Sequence, residues 1–105
     1  MVKADSKKCP AVSAQSAYHV TYRGQVQGVG FRFTVVRLAQ EYEQVTGYVK
    51  NLSDGDVELW IEGPNADVES LLDDIAAGPH AAYIKSVEAV RAAPSNAYLS
   101  FAIRW

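Results

Sequence analysis

Two hydrophobic periods alternate along this chain. From Tyr18, "YHVTYRGQ" places Tyr18, Val20 and Tyr22 on one face and His19, Thr21 and Arg23 on the other, the two-residue repeat of a half-buried strand. In "FRFTVVRLAQEYE" the period lengthens, and Val35, Leu38, Ala39 and Tyr42 fall at i, i+3, i+4 and i+7 on one face of a helix. "VTGYVKN" returns to strand chemistry, "SDGD" reads as a turn with Gly55 free to take positive φ, and "VELWIEG" alternates again through Val57, Leu59 and Ile61. Trp60 alternates away from that face, onto the open side of the sheet. A second helix is predicted in "PNADVESLLDDIAAG", with Asn65 as N-cap, a stripe of Val68, Leu71, Leu72 and Ile75, and Gly78-Pro79 as the stop. Two more strands, about Tyr83–Arg91 and Tyr98–Arg104, are joined by "AAPSNA".

Strand, helix, strand, strand, helix, strand, and one further strand: this order suits a split βαβ arrangement. Both helices then cover one face of a mixed, mainly antiparallel sheet. The predicted fold is α/β (α+β), a ferredoxin-like sandwich. The fold alone does not assign a function, because this architecture hosts enzymes and binding modules alike.

The segment from Met1 to Ala17 lacks any period and reads as a flexible tail preceding one domain over residues 18–105. No continuous apolar core marks it as a secretory signal, and no run approaches the roughly 20 apolar residues of a membrane span. Ten Lys and Arg against twelve Asp and Glu give a net charge of −2. That balance argues against a nucleic-acid partner, whose phosphates demand a basic surface. One cysteine, Cys9, leaves no intramolecular disulfide and is too few for a structural zinc site. Its neighbours supply two lysines and no scaffold for a base, so a nucleophilic role is not expected. A cytoplasmic protein is expected, with no membrane association and nothing that demands more than a monomer.

The chemistry concentrates in "GQVQGVGFR", Gly24 to Arg32, between the first strand and the first helix. Gly24, Gly28 and Gly30 let the backbone bend into positive φ and bare successive N–H groups. The loop runs into a helix start, where N–H groups lack intrahelical partners and the dipole is positive. Such a concave run of amides suits an anion, phosphate above all, and Arg32 adds a planar fork for its oxygens. No Gly-Lys-Ser/Thr closes the loop, and Phe33 stands where a dinucleotide fingerprint would place its third glycine. On these residues alone, a phosphate cradle and a tight turn carrying an exposed arginine stand side by side.

A family resemblance separates them. "GQVQGVGFR" resembles the acylphosphatase signature G-x-V-Q-G-V-x-F-R and meets it at every specified position. "GYVKN", Gly47 to Asn51, is similar to that family's second signature, and the intervening spacing, the "DG" hairpin and "VELWIEGP" also fit. The resemblance covers Tyr18 to Trp105. It implies hydrolysis of the carboxyl-phosphate bond of a small acyl phosphate, with inorganic phosphate as product and inhibitor and with no cofactor or metal. It further implies Arg32 and Asn51 as the catalytic pair, the arginine on the phosphate and the asparagine on the attacking water. Gln27, Gly28, Val29, Gly30 and Phe31 would form the phosphate cradle with Arg32. Gly30 departs from relatives with a bulkier, aromatic residue there, which should loosen the loop and lessen contact with the acyl part.

The bond in question explains what the sequence lacks. A carboxylate leaves without a proton, since its conjugate acid has a pKa of roughly 4. A loose phosphoryl-transfer transition state asks mainly for positioning and charge stabilisation. No acid–base pair or metal cluster is then required. His19 and His80 lie far apart and away from any carboxylate at ligand spacing, so surface or packing roles are expected for both. Asp73 and Asp74 are read as solvated, and for Trp105 two roles stand open, a cover for the sheet edge or a terminal carboxylate that approaches an active-site cation.

Two non-enzymatic readings compete. One is an acylphosphatase-like module that binds a phosphate ligand without turnover, as a stand-alone domain or within a larger assembly. The other is a ferredoxin-like RNA-binding module suggested by "GFRF". In such modules the aromatic motif lies on a central strand after helix one, whereas here it opens helix one. Because both catalytic-type residues are present, the enzyme is favoured.

Overall fold

A computed structural model describes residues 14–28 and 30–104. The expectations for Cys9, Val29, Trp105 and most of the N-terminal segment lie outside the described residues. Strand β1 spans Gln15–Gly24, helix α1 Phe31–Ala39, β2 Thr46–Asn51, β3 Val57–Pro64, helix α2 Asn65–Ala76, β4 Ile84–Ala92 and β5 Phe101–Arg104. A short 3-10 turn at Ala81–Tyr83 precedes β4.

The five strands lie in the order β4-β1-β3-β2-β5. All neighbours are antiparallel except β2 and β5, which run parallel. Helix α1 packs over β2 and β5, and α2 over β1 and β3. This is the mixed, mainly antiparallel sheet with one helical face that the order of elements predicts.

Alternation along the strands decides what is buried. Val20 and Tyr22 on β1, Val49 on β2, and Val57, Leu59 and Ile61 on β3 meet Phe31, Val35 and Ala39 of α1 and Val68, Leu71 and Ile75 of α2. Full burial of one such aliphatic side chain contributes about 1.5–3 kcal/mol, so this layer carries the fold. Burial also drives the Tyr22 phenol far above its ordinary pKa and keeps it neutral beneath α1. Strand β4 stands apart, with Lys85 through Arg91 all exposed.

Four boundaries differ from the sequence reading. Strand β1 begins at Gln15, not Tyr18, because Gln15, Ser16 and Ala17 already pair with Pro64, Gly63 and Glu62. Ser16 and Ala17 are buried. Helix α1 stops at Ala39, where the N–H groups of Glu41 and Tyr42 turn to the carbonyls of Leu38 and Ala39, three residues back. Tyr42 therefore lies beyond the helix yet still packs on the core, and its hydroxyl donates to Asp74 Oδ2 at 2.6 Å. That hydrogen bond is the main cause of a phenol pKa pushed up to about 12. It also means that Asp74 is not simply solvated. Pro64, not Asn65, is the N-cap of α2; the Asn65 N–H is taken by the Ala14 carbonyl at 2.9 Å. The last strand starts at Phe101 instead of Tyr98, whose ring lies 5.7 Å from that of Tyr48.

Candidate active site

The loop between β1 and α1 is fastened at several points along its length. Gly24 lets β1 run against the 3-10 turn: a Cβ there would stand 2.3 Å from the Tyr83 carbonyl oxygen, closer than any side chain allows. The next residue, Gln25, donates its N–H to that same oxygen at 2.9 Å. Val26 is buried in the core. Phe31 closes the far end, its ring 5.1 Å from Tyr22 and 5.8 Å from His80. Between these anchors Gly28 and Gly30 are exposed at φ 79° and 82°.

Gly30 is the N-cap of α1, in the left-handed conformation and with no side chain to cap it. Its carbonyl accepts the first helical hydrogen bond, from the Thr34 N–H at 3.1 Å. The first turn contains no acidic residue. Most helix starts satisfy their orphan N–H groups with a Ser, Thr, Asp or Asn oxygen, and α1 has none of these. Arg32, half-buried, is the second residue of that turn. Helix α2 likewise lacks a side-chain cap but holds Asp67 in its first turn, so the two starts differ in charge and not in capping. Of the two helix starts, α1 is the one whose charge favours an anion.

Asn51 occupies the last position of β2, paired across to Val57 at the start of β3. Its Oδ1 is buried and has no hydrogen-bond partner among the described residues. The turn that follows closes on itself through Leu52 N–H to Asp56 O at 2.8 Å and Gly55 N–H to Leu52 O at 3.2 Å. Gly55 takes the positive φ expected of it, 99°. The Gln27 amide nitrogen reaches both turn carbonyls, Leu52 O at 2.7 Å and Asp56 O at 2.9 Å. The glycine loop and the strand end bearing Asn51 are thus directly joined. Arg23 adds an ion pair to Asp56 at 3.3 Å and another to Glu88 at 3.2 Å.

Residues set aside at the sequence level divide in two. His19 pairs with Glu58 across the open sheet face, away from the loop, within the surface or packing role expected of it. His80 packs as expected, its ring 5.8 Å from Phe31 and 6.0 Å from Tyr83, and in doing so borders the loop, with Nε2 4.0 Å from where a Gly30 side chain would begin. Nothing in the sequence flagged His80, because its approach depends on how the α2–β4 connection folds beside β1. The links from Gln27 to Leu52 and Asp56 were equally hidden, since both acceptors are backbone carbonyls. A shallow cavity lined by Gly24, Gln25, Tyr83 and Lys85 flanks the loop. The Gln25 N–H that borders it is already committed to the Tyr83 carbonyl. Among the described residues no cluster of three or more His, Cys, Asp or Glu side chains has metal-site geometry, and no helix is long and apolar enough to cross a membrane.

A sequence profile of the acylphosphatase family matches residues 18–103. An acylphosphatase of Bordetella parapertussis is 39% identical over 84 residues, 80% of this chain and 88% of that protein. The crystal structure of acylphosphatase from Bacillus subtilis superposes with a TM-score of 0.77 at 29% identity, covering 86% of this chain and 99% of that one. The structure of an acylphosphatase from Coxiella burnetii gives 0.75 at 39% identity, covering 86% and 93%.

Proposed function

The chain belongs to the acylphosphatase family, and from that premise we propose that loop 24–32 and Asn51 are the machinery of its reaction. The reaction itself is hydrolysis of an acyl phosphate to a carboxylate and inorganic phosphate. In the proposed mechanism, loop N–H groups at Gln27, Gly28, Val29, Gly30 and Phe31, together with the Arg32 guanidinium, receive the phosphate oxygens. The positive end of α1 adds to their field. Charge-assisted bonds of this kind are roughly twice as strong as neutral ones and carry a fixed geometry. The carboxylate departs unprotonated. Asn51 holds the attacking water, its carboxamide supplying an acceptor for one of the water's protons.

The observation that carries this reading is the charge of the α1 start. A helix that begins on a bare left-handed glycine, without an acid in its first turn and with an arginine there, is built to receive an anion. Asn51 alone would read as a strand-end residue. Its connection to the loop through Gln27 and the turn carbonyls supports a shared role. Inorganic phosphate, the product, should occupy the same cradle and inhibit. We propose a monomer working in the cytoplasm, without metal and without a nucleic-acid partner, on a small diffusible substrate.

The test is phosphate release from acetyl and benzoyl phosphate beside alkyl phosphate esters, with and without a chelator. Acyl phosphates should be hydrolysed equally well with chelator present. Alkyl esters should barely react, because their alkoxide leaving group needs a proton donor and neither Arg32 nor Asn51 can act as one. Activity abolished by the chelator and restored by one divalent ion would overturn the metal-free mechanism.

A further inference from the structure

We infer that the Gln27 side chain is a positioning residue, a strut that sets where Asn51 stands relative to the phosphate loop. The inference rests on the role proposed above for Asn51. Gln27 carries two tasks on separate parts of one residue. Its backbone belongs to the cradle, while its half-buried side chain reaches to the β2–β3 turn.

The geometry explains why glutamine suits this position. A primary carboxamide nitrogen offers two N–H donors in one plane. Both find acceptors, Leu52 O at 2.7 Å and Asp56 O at 2.9 Å. These two carbonyls also accept the bonds that close the turn, from Gly55 and Leu52. Gln27 therefore grips both ends of a turn that is already rigid. Leu52 follows Asn51 directly, and Val57, which follows Asp56, is the cross-strand partner of Asn51. Any shift of the loop against this turn moves the water-holding group relative to the phosphate. Such displacements are costly: an ångström of misplacement can lower a rate on the order of 100-fold. Glutamate has the same shape but would set carboxylate oxygens against carbonyl oxygens, and methionine has similar length without any donor.

A double-mutant cycle distinguishes this role from general support of the fold. Turnover of acetyl phosphate and the Kd for inorganic phosphate are measured for wild type, Gln27→Met, Gln27→Glu, Asn51→Ala and Gln27→Met/Asn51→Ala, with circular dichroism to confirm folding. Gln27→Met should lower kcat about 10- to 100-fold while phosphate affinity stays within about 3-fold. Gln27→Glu should lose at least as much. In the Asn51→Ala background, Gln27→Met should cost no more than about 2-fold further, because the group it positions has gone. If the two losses multiply, or phosphate affinity falls in step with kcat, the strut is overturned while the role of Asn51 stands. If Asn51→Ala alone leaves turnover unchanged, the role of Asn51 fails, and the strut falls with it.

Discussion

The Glu62 carboxylate accepts both the backbone N–H and the hydroxyl of Ser95, each at 2.7 Å. The Asn96 N–H at 3.0 Å and the Trp60 indole N–H at 3.0 Å complete its shell. One buried acid on β3 thereby pins the segment that carries the chain from β4 to β5. Burial works to raise its pKa, but the hydrogen bonds outweigh burial and hold the carboxyl below its ordinary value. A depressed folded-state pKa means stability that is present above the unfolded value, near 4.3 for glutamate, and lost as pH falls through the folded one.

Glu62→Gln should therefore lower stability at pH 7 by about 2 kcal/mol, the scale of hydrogen bonds to a charged group. The deficit should shrink toward acid, where the wild-type carboxylate also becomes protonated. Thermal melts of both proteins at pH 7 and pH 3 test this. A deficit equally large at both pH values would show that packing and not charge is at work.

Two loop glycines should respond differently to alanine. At Gly24 a Cβ would meet Tyr83 O at 2.3 Å and Lys85 N at 2.7 Å, both backbone atoms that cannot yield without opening the β1–β4 ladder. Gly24→Ala should cost about 3 kcal/mol or more. At Gly30 the nearest heavy atom is His80 Nε2 at 4.0 Å, an ordinary contact, so only the left-handed backbone is penalised. Gly30→Ala should cost about 1–2 kcal/mol. Chemical denaturation of the two variants ranks them, and the reverse order would contradict the loop geometry described above.

Much of this architecture was legible because period and turn chemistry act locally. The alternation at Val57, Leu59 and Ile61 and the stripe at Val68, Leu71 and Ile75 mark the core directly, and Gly55 marks its turn. The loop's bend was visible for the same reason, but its glycines and arginine fit a tight turn as well as an anion cradle, and only the paired motifs set the two apart. What escaped depends on contacts distant in sequence. Gln15 to Ala17 look too polar and small for a strand, yet pairing with β3 makes them one. Tyr42 keeps the helical phase without the helix, because Asp74 and the core hold it after the backbone has tightened. The motif names Gln27, but the reach of its side chain has no sequence signal, as its acceptors are main-chain atoms.

The early start of β1 reverses one expectation. A truncation beginning at Tyr18 would remove the Ala14 carbonyl that receives the Asn65 N–H, together with buried Ser16 and Ala17. It should lose about 2 kcal/mol or more, several degrees in Tm for a domain of this size. A melting curve of that truncated chain matching the full chain would show that these residues add nothing to β1.

The most direct test of the central claim is calorimetric titration with inorganic phosphate, run beside steady-state hydrolysis of acetyl phosphate, on Arg32→Ala and Arg32→Lys. A guanidinium that holds the phosphate in ground and transition states should be missed in both readouts. Arg32→Ala should weaken phosphate binding on the order of 100-fold and depress turnover by at least as much. Arg32→Lys should restore little, because a point charge cannot reproduce the planar fork. Arg32→Ala that binds phosphate and turns over acetyl phosphate like the wild type would contradict the account.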